Sequence, residues 1–390
     1  MSRWPLKPIG DICEVNPRLP RGHDIPDDQI VSFVSMAAVD EVSGTIQAPQ
    51  TRPFGEVKKG YTHFRNGDVL FAKITPCMEN GKAAIADDLA GGIGFGSTEF
   101  HVLRAKDEVL PDWVFYFVRQ PTFRTEAKRN FTGTAGQQRV PTTFVSSATI
   151  PVPTLTEQRR IVDLLSRAEG IVRLRREAEK KAAELIPALF LDMFGDPATN
   201  PKGWPVVKLA DVCGKCATRD PKKRPDEEFT YIDIAAIDNQ HGQVSETKTM
   251  LGIDAPSRAR QVVQAGDVIV STVRPNLRGS AWIPEHLDGQ VCSTGFCVLH
   301  PSNKTTTSFI YAVIRSDWFV SELMKHVRGA QYPAVSDKDV FGVQIPLPPL
   351  SAQQEFTSRL DAIRSIQSQQ SMAITKAQAT FNALLAQAYS

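Results

Sequence analysis

Ile150-Pro151-Val152-Pro153-Thr154-Leu155-Thr156-Glu157-Gln158 returns further along the chain as Ile345-Pro346-Leu347-Pro348-Pro349-Leu350-Ser351-Ala352-Gln353. Working outward from this pair, the whole chain reads as a duplication. Trp4-Pro5 with Ile9, Asp11 and Cys13 recurs as Trp204-Pro205 with Leu209, Asp211 and Cys213. Phe33-Val34, Val39-Asp40 and Gly44 recur as Tyr231-Ile232, Ile237-Asp238 and Gly242. Gly67-Asp68-Val69-Leu70 and Pro76 match Gly266-Asp267-Val268-Ile269 and Pro275. Ser97-Thr98, Phe100 and Val102-Leu103 match Ser293-Thr294, Phe296 and Val298-Leu299. The offset drifts from 200 to 195 residues, as it does when loops lose a residue here and there.

Each copy reads as mixed helix and strand. The β-branched runs from Asp68 to Ile74 and from Asp267 to Val273 follow Gly-Asp turn signals and are expected strands. Asp112 to Arg119 and Ser308 to Arg315 read as short amphipathic helices with aromatic faces. The Pro-x-Pro segments read as stiff hinges that continue neither helix nor strand.

A long helix is expected after each hinge. Apolar residues fall at Ile161, Leu165, Ala168, Val172, Ala182, Ile186, Leu189 and Met193, and again at Phe356, Leu360, Ile363, Ile366, Ala377, Phe381, Leu384 and Ala388. Polar Arg175 and Gln370 interrupt the seams, and Pro187 is expected to kink the first helix. Two matched seams favour antiparallel pairing over each helix packing only on its own copy. About 35 residues of helix span roughly 50 Å. That exceeds the 34–36 Å between half-sites of dimeric DNA readers, about one turn of the duplex.

The 390 residues suffice for two ordinary cores, and 42% hydrophobic with 23% charged residues is a globular composition. A net charge of +2 argues against non-specific coating of nucleic acid but leaves room for a local basic face. No signal peptide or membrane-length apolar run is visible, and six cysteines suit free thiols in a reducing cytoplasm.

The repeated Gly-Asp strand, the repeated Ile-Pro-(Val/Leu)-Pro-x-Leu-x-x-Gln approach into a helix, and Phe194-Gly195-Asp196-Pro197 after the first helix carry a resemblance. Over its whole length the chain resembles the specificity subunits of type I restriction-modification systems. The resemblance implies an α+β protein with two tandem α/β target-recognition domains (1–155 and 197–350) and two long spacer helices (156–196 and 351–390). The helices would pair antiparallel, giving a pseudo-two-fold. It also implies a cytoplasmic, prokaryotic chain that reads a split, asymmetric double-stranded DNA target, one half per domain. Two methyltransferase subunits would dock on the helices, with Ile161, Leu165, Val172, Phe356, Ile363 and Phe381 as expected docking residues, and restriction-translocase subunits would join them. S-adenosylmethionine, ATP and Mg²⁺ would be used by those partners, with no cofactor in this chain and no membrane association.

Base readout needs donors and acceptors on loops, with lysine or arginine for phosphates. The first candidate loop carries Lys73, Thr75, Asn80 and Lys82, and its counterpart carries Thr272, Arg274, Asn276 and Arg278 on the same frame. The second holds Arg124, Lys128, Arg129, Thr134, Gln137, Gln138 and Arg139, matched by Lys325, Arg328, Gln331 and Tyr332. Lys215, Arg219, Lys222, Lys223 and Arg224 form a phosphate candidate. For each, a plain solvated loop is the competing reading.

Other chemistries fare worse. Cys213, Cys216, Cys292 and Cys297 could supply four zinc thiolates, but the first copy has Gly96 and His101 where the second has Cys292 and Cys297. Loose nuclease-like patterns (Pro225-Asp226 with Glu246 and Lys248; Pro26-Asp27 with Glu56 and Lys58) do not coincide in the repeat. There is no G-x4-G-K-[S/T] phosphate loop and no adenine-methyltransferase motif, so the chain is expected to be non-catalytic alone.

Overall fold

The computed structural model describes residues 4–20, 22, 24–134, 136–329 and 333–390. The chain divides into two compact units, Met1–Glu177 with Ser371–Ser390, and Ala178–Gln370. The division cuts both long helices, so each unit keeps a piece of each.

The first unit holds a four-stranded antiparallel sheet in the spatial order Cys13–Val15, Phe100–Ala105, Val69–Ala72, Ala83–Ile85. A second sheet runs Gln50–Pro53, Ile30–Val34, Ile93–Gly96, Thr62–Arg65, with its two central strands parallel. The second unit repeats both. Its first sheet orders Cys213–Gly214, Phe296–Pro301, Val268–Ser271 and Ser280–Trp282. Its other sheet orders Lys248–Leu251, Glu228–Ile232, Val291–Ser293 and Ala259–Val262, again with a parallel central pair.

The repeated Gly-Asp turn explains why the buried central strand begins where it does. Gly67 and Gly266 both sit at φ 85°, a region open to glycine. The following aspartate then caps the turn: Asp68 accepts the Arg65 amide and Asp267 the Gln264 amide, each at 2.8 Å. Both carboxylates are 1% exposed, so each needs a partner. Arg104 grips Asp68 with two bonds of 2.8 and 2.7 Å, whereas His300 meets Asp267 at 2.6 Å.

The Pro-x-Pro segments differ from the hinges expected of them. Thr149–Pro151 is a strand pairing with Leu6–Pro8, and Gln344–Pro346 pairs with Val206–Lys208. Each ladder has only two strands, and each segment ends at its first proline, where a missing amide is tolerated.

Leu155–Phe194 and Leu350–Ala388 are single helices of 40 and 39 residues, the first continuous through Pro187. In the second unit they run antiparallel: Gln367 Nε2 donates to the Ala182 carbonyl (2.9 Å), while Phe356 packs on Phe190 and Phe194. In the first unit Arg176 Nη2 donates to Gln378 Oε1 (3.0 Å). The helices also pack on the folded unit beside them. Ile161, Leu165, Val172 and Phe381 share a core with Trp113 and Phe117, and Phe356 shares one with Phe309.

This corrects the expected docking residues. Ile161, Leu165, Val172, Phe356 and Phe381 are buried and Ile363 is half-buried, so the apolar seam is filled by the chain itself and offers a partner little free surface.

Candidate nucleic-acid interface

In each unit the two candidate loops, about fifty residues apart in sequence, meet as one surface. In the first unit Ile74 bridges to Arg139, the Thr75 amide donates to the Gln138 carbonyl (3.0 Å), and the Val140 amide donates to the Lys73 carbonyl (2.9 Å). In the second unit Val273 bridges to Ala334, the Arg274 amide donates to the Pro333 carbonyl (2.8 Å), and the Val335 amide donates to the Thr272 carbonyl (2.9 Å). The partner hairpin closes on itself in both, Thr132 with Arg139 and Arg328 with Ala334. One backbone frame therefore carries two sets of side chains.

The side chains sort into frame and free surface. Thr272 belongs to the frame: it is 7% exposed, and both its amide and its hydroxyl donate to the Gly295 carbonyl. A buried, satisfied hydroxyl does not reach a base edge, so Thr272 is a frame residue and not the base-reading residue expected of it. Arg124 is half-buried and donates from Nη1 to the Glu79 carbonyl (2.6 Å); burial, then the nearby Arg119 charge, holds its pKa below the usual arginine value. Arg139 forms a two-pronged pair with Glu99, both bonds 2.9 Å, which holds the Glu99 carboxyl below the usual carboxylate range. Lys128 pairs with Glu79, which also accepts from the Thr75 hydroxyl, and the Lys128 bond is the main cause of Glu79's lowered pKa. Lys82 Nζ donates to the Met36 carbonyl (3.2 Å), and Asn80 reaches Glu41 (3.3 Å).

Opposite the second frame, Arg278 pairs with Asp317, Lys325 with Glu322 (2.6 Å) and Arg328 with Asp339 (3.2 Å). Gln331 and Tyr332 lie outside the described residues. Arg129, Thr134, Gln137, Arg274 and Asn276 remain exposed, with no side-chain bond among the described residues. Lys73 and Gln138 are half-buried, likewise without one. In the phosphate candidate, Lys222 and Lys223 are exposed, while Arg224 pairs with Glu227 (3.1 Å), Arg219 donates to the Gly289 carbonyl (3.2 Å), and Lys215 lies over the Phe341 ring.

Sequence reasoning missed the acidic members, Glu79, Glu99, Asp317 and Asp339, because their partners are set by folding; Glu79, directly before Asn80 in the first candidate loop, was the one available signal. The repeat also hides a polar difference behind the frame. In the first unit His101 Nε2 donates to the Val140 carbonyl (2.8 Å) while its Nδ1 accepts from Asn16 Nδ2 (3.2 Å), and burial lowers its pKa to about 4. In the second unit the same position is Cys297, whose thiol burial pushes up, as it pushes Cys213 to about 12. Such thiols are poor ligands and nucleophiles, and the described residues contain no group of three or more His, Cys, Asp or Glu side chains placed to hold a metal ion.

Comparison with known proteins matches residues 1–184 and 201–376 to the profile of the type I restriction modification DNA specificity domain. The chain belongs to this family. The specificity subunits of the Escherichia coli enzymes EcoEI and EcoAI are 39% and 40% identical over 166 and 161 residues. Those matches take in 42% and 41% of this chain but only 27% of each relative, about a quarter of its length. The MjaVIII specificity subunit of Methanocaldococcus jannaschii is 25% identical over 302 residues, 71% of this chain and 69% of that one. Among solved structures, a chain from a type I R-M system aligns over 99% of this chain and 97% of its own, with TM-score 0.64 at 22% identity. The S subunit from M. genitalium gives 0.52 at 13% identity, over 100% and 96%. At those identities the likeness establishes the specificity-family fold alone.

Proposed function

We propose that the chain is the sequence-reading subunit of a type I restriction-modification complex, and that each unit reads one half of a split, asymmetric double-stranded DNA target. One observation carries this: the same bridged frame in both units presents Thr134 and Gln137, with Arg129 at the end of the helix Pro121–Arg129 that leads into them, in one and Arg274 and Asn276 in the other. Arginine, asparagine and glutamine are the side chains suited to bidentate contacts on guanine and adenine edges. Different letters on one frame give different half-sites.

The chemistry is left to partners. Two methyltransferase subunits dock on the long helices, restriction-translocase subunits join them, and S-adenosylmethionine, ATP and Mg²⁺ act there. Support for docking comes from the helix faces that the internal seam leaves open, which carry exposed Leu164, Ile171 and Leu174 on the first helix and Ile366 and Met372 on the second. A duplex DNA target implies a chain that works in the prokaryotic cytoplasm.

The test is selection of bound sequences from a random duplex pool, at controlled salt and with the partner subunits present. Two short motifs separated by a fixed unread gap are expected. Salt-sensitive retention with no motif contradicts the proposal.

A further inference from the structure

Beside each bridged loop stands a turn that the duplication preserves, Asp40-Glu41-Val42-Ser43-Gly44 in the first unit and Asp238-Asn239-Gln240-His241-Gly242 in the second. Their frames are the same. Asp40 Oδ1 accepts the amides of Val42 (3.1 Å) and Ser43 (2.6 Å), and Asp238 Oδ1 accepts those of Gln240 (2.9 Å) and His241 (3.0 Å). Gly44 and Gly242 close the turns at φ 65° and 66°. A Cβ there would come within 2.5 Å of the Phe115 ring or 2.1 Å of the Tyr311 hydroxyl, so only glycine lets the turn sit this close to the helix behind it.

From that helix an arginine grips each turn by its backbone. Arg119 Nη2 donates to the Val42 carbonyl (3.0 Å), and Arg315 donates to the carbonyls of Asn239 (3.0 Å) and Gln240 (2.9 Å). Tyr311 adds a bond to the Gly242 carbonyl (2.8 Å). Main-chain grips hold the tip in place without using its side chains, so those are free to vary. A turn that merely reversed the chain would account for the aspartate and glycine, but not for an arginine clamp on the tip.

The turns also adjoin the surface already described. Asn80 of the first bridged loop donates to Glu41 (3.3 Å), and the position a Cβ on Gly279 would take lies 3.4 Å from Asn239 Oδ1. Asn239 and Gln240 are exposed, and their side chains have no hydrogen-bond partner among the described residues.

We infer that this Asp-x-x-x-Gly turn is a further base-reading element in each unit, with Asn239 and Gln240 in the second and Glu41 and Val42 in the first setting specificity. The inference rests on the DNA-reading function proposed above. The chemistry differs between the units in a definite way. Two free amides offer paired donor and acceptor groups that fit the N6/N7 edge of adenine, whereas a carboxylate beside an exposed valine fits a cytosine amino group and a thymine methyl.

The experiment uses the full chain with its partner subunits and a random duplex pool. The triple variant Asn239→Glu, Gln240→Val, His241→Ser places the first unit's tip on the second unit's frame. It is expected to change base preference at one or two adjacent positions of one half-site, leaving the other half and pool affinity at fixed salt within about twofold. Gln240→Ala alone, a change at an exposed tip, is expected to lower preference at a single position at least about fivefold. It decides the question should the triple variant not fold. Folded variants that select the wild-type motif in both halves overturn the inference. A wild-type complex that selects no split motif instead overturns the DNA-reading function on which it rests.

Discussion

Gln158 and Gln353 are completely buried, yet every hydrogen-bonding group on their amides is used. Gln158 Oε1 accepts the Leu110 amide (2.9 Å), and its Nε2 donates to the carbonyls of Glu108 (3.0 Å) and Pro153 (2.9 Å). Gln353 accepts from Thr305 and Thr306 and donates to the Pro348 carbonyl (2.9 Å). Each glutamine fastens the first turn of a long helix to its unit, and a buried amide with all bonds made is stabilising only while they stay made. Gln158→Ala is expected to cost about 2–4 kcal/mol. Gln158→Glu should cost more, since a carboxylate has no donor for the two carbonyls. Urea denaturation followed by tryptophan fluorescence reads both, and an unchanged midpoint would show the clamp to be dispensable. The sequence displayed this residue as part of a repeated motif without its reason. The same blindness affected Arg139 and Thr272, which read as free polar side chains. Glu99, which neutralises Arg139, is forty residues away, and the Gly295 carbonyl that takes Thr272 is a backbone group no pattern marks.

At the level of elements, periodicity was the reliable signal. The long helices, the central strands and the short aromatic helices all lie where apolar spacing puts them, because each buries a continuous face. The Pro-x-Pro segments were misread because a two-stranded edge ladder asks for so few amides that proline does not exclude it. The seams pair as their spacing implies, but they also pack on the folded units, so seam residues named for docking, such as Leu165 and Phe356, are buried within the chain, since one sequence does not say which of two buried surfaces fills a stripe. The proposed docking role therefore falls to the open faces. Ile171→Ser with Leu174→Ser, both exposed in the native chain, should change stability by about 0.5 kcal/mol or less per site. The pair should nonetheless weaken co-purification of the methyltransferase subunit at least tenfold. Full retention of that subunit would move docking to another surface.

At the scale of the whole molecule, one frame is built twice, and the proposed function makes each copy a reader. The frame is fixed by groups both copies share in kind: the Gly-Asp turn, the buried glutamine, the arginine-clamped turn and the bridge between loops. Their side chains point inward or onto backbone, so they tolerate little change. On the proposed function specificity lies in what the frame leaves exposed, where Arg274 and Asn276 of the second unit stand in the places of Thr75 and Cys77 of the first. The central claim is this separation of frame from letter, one half-site per unit. The most direct measurement replaces residues 1–155 by the matching segment of another family member of different specificity and repeats the random-pool selection with partner subunits. The account predicts one half-site replaced, with the other half retained unchanged. Two altered halves, or one continuous motif, would contradict it.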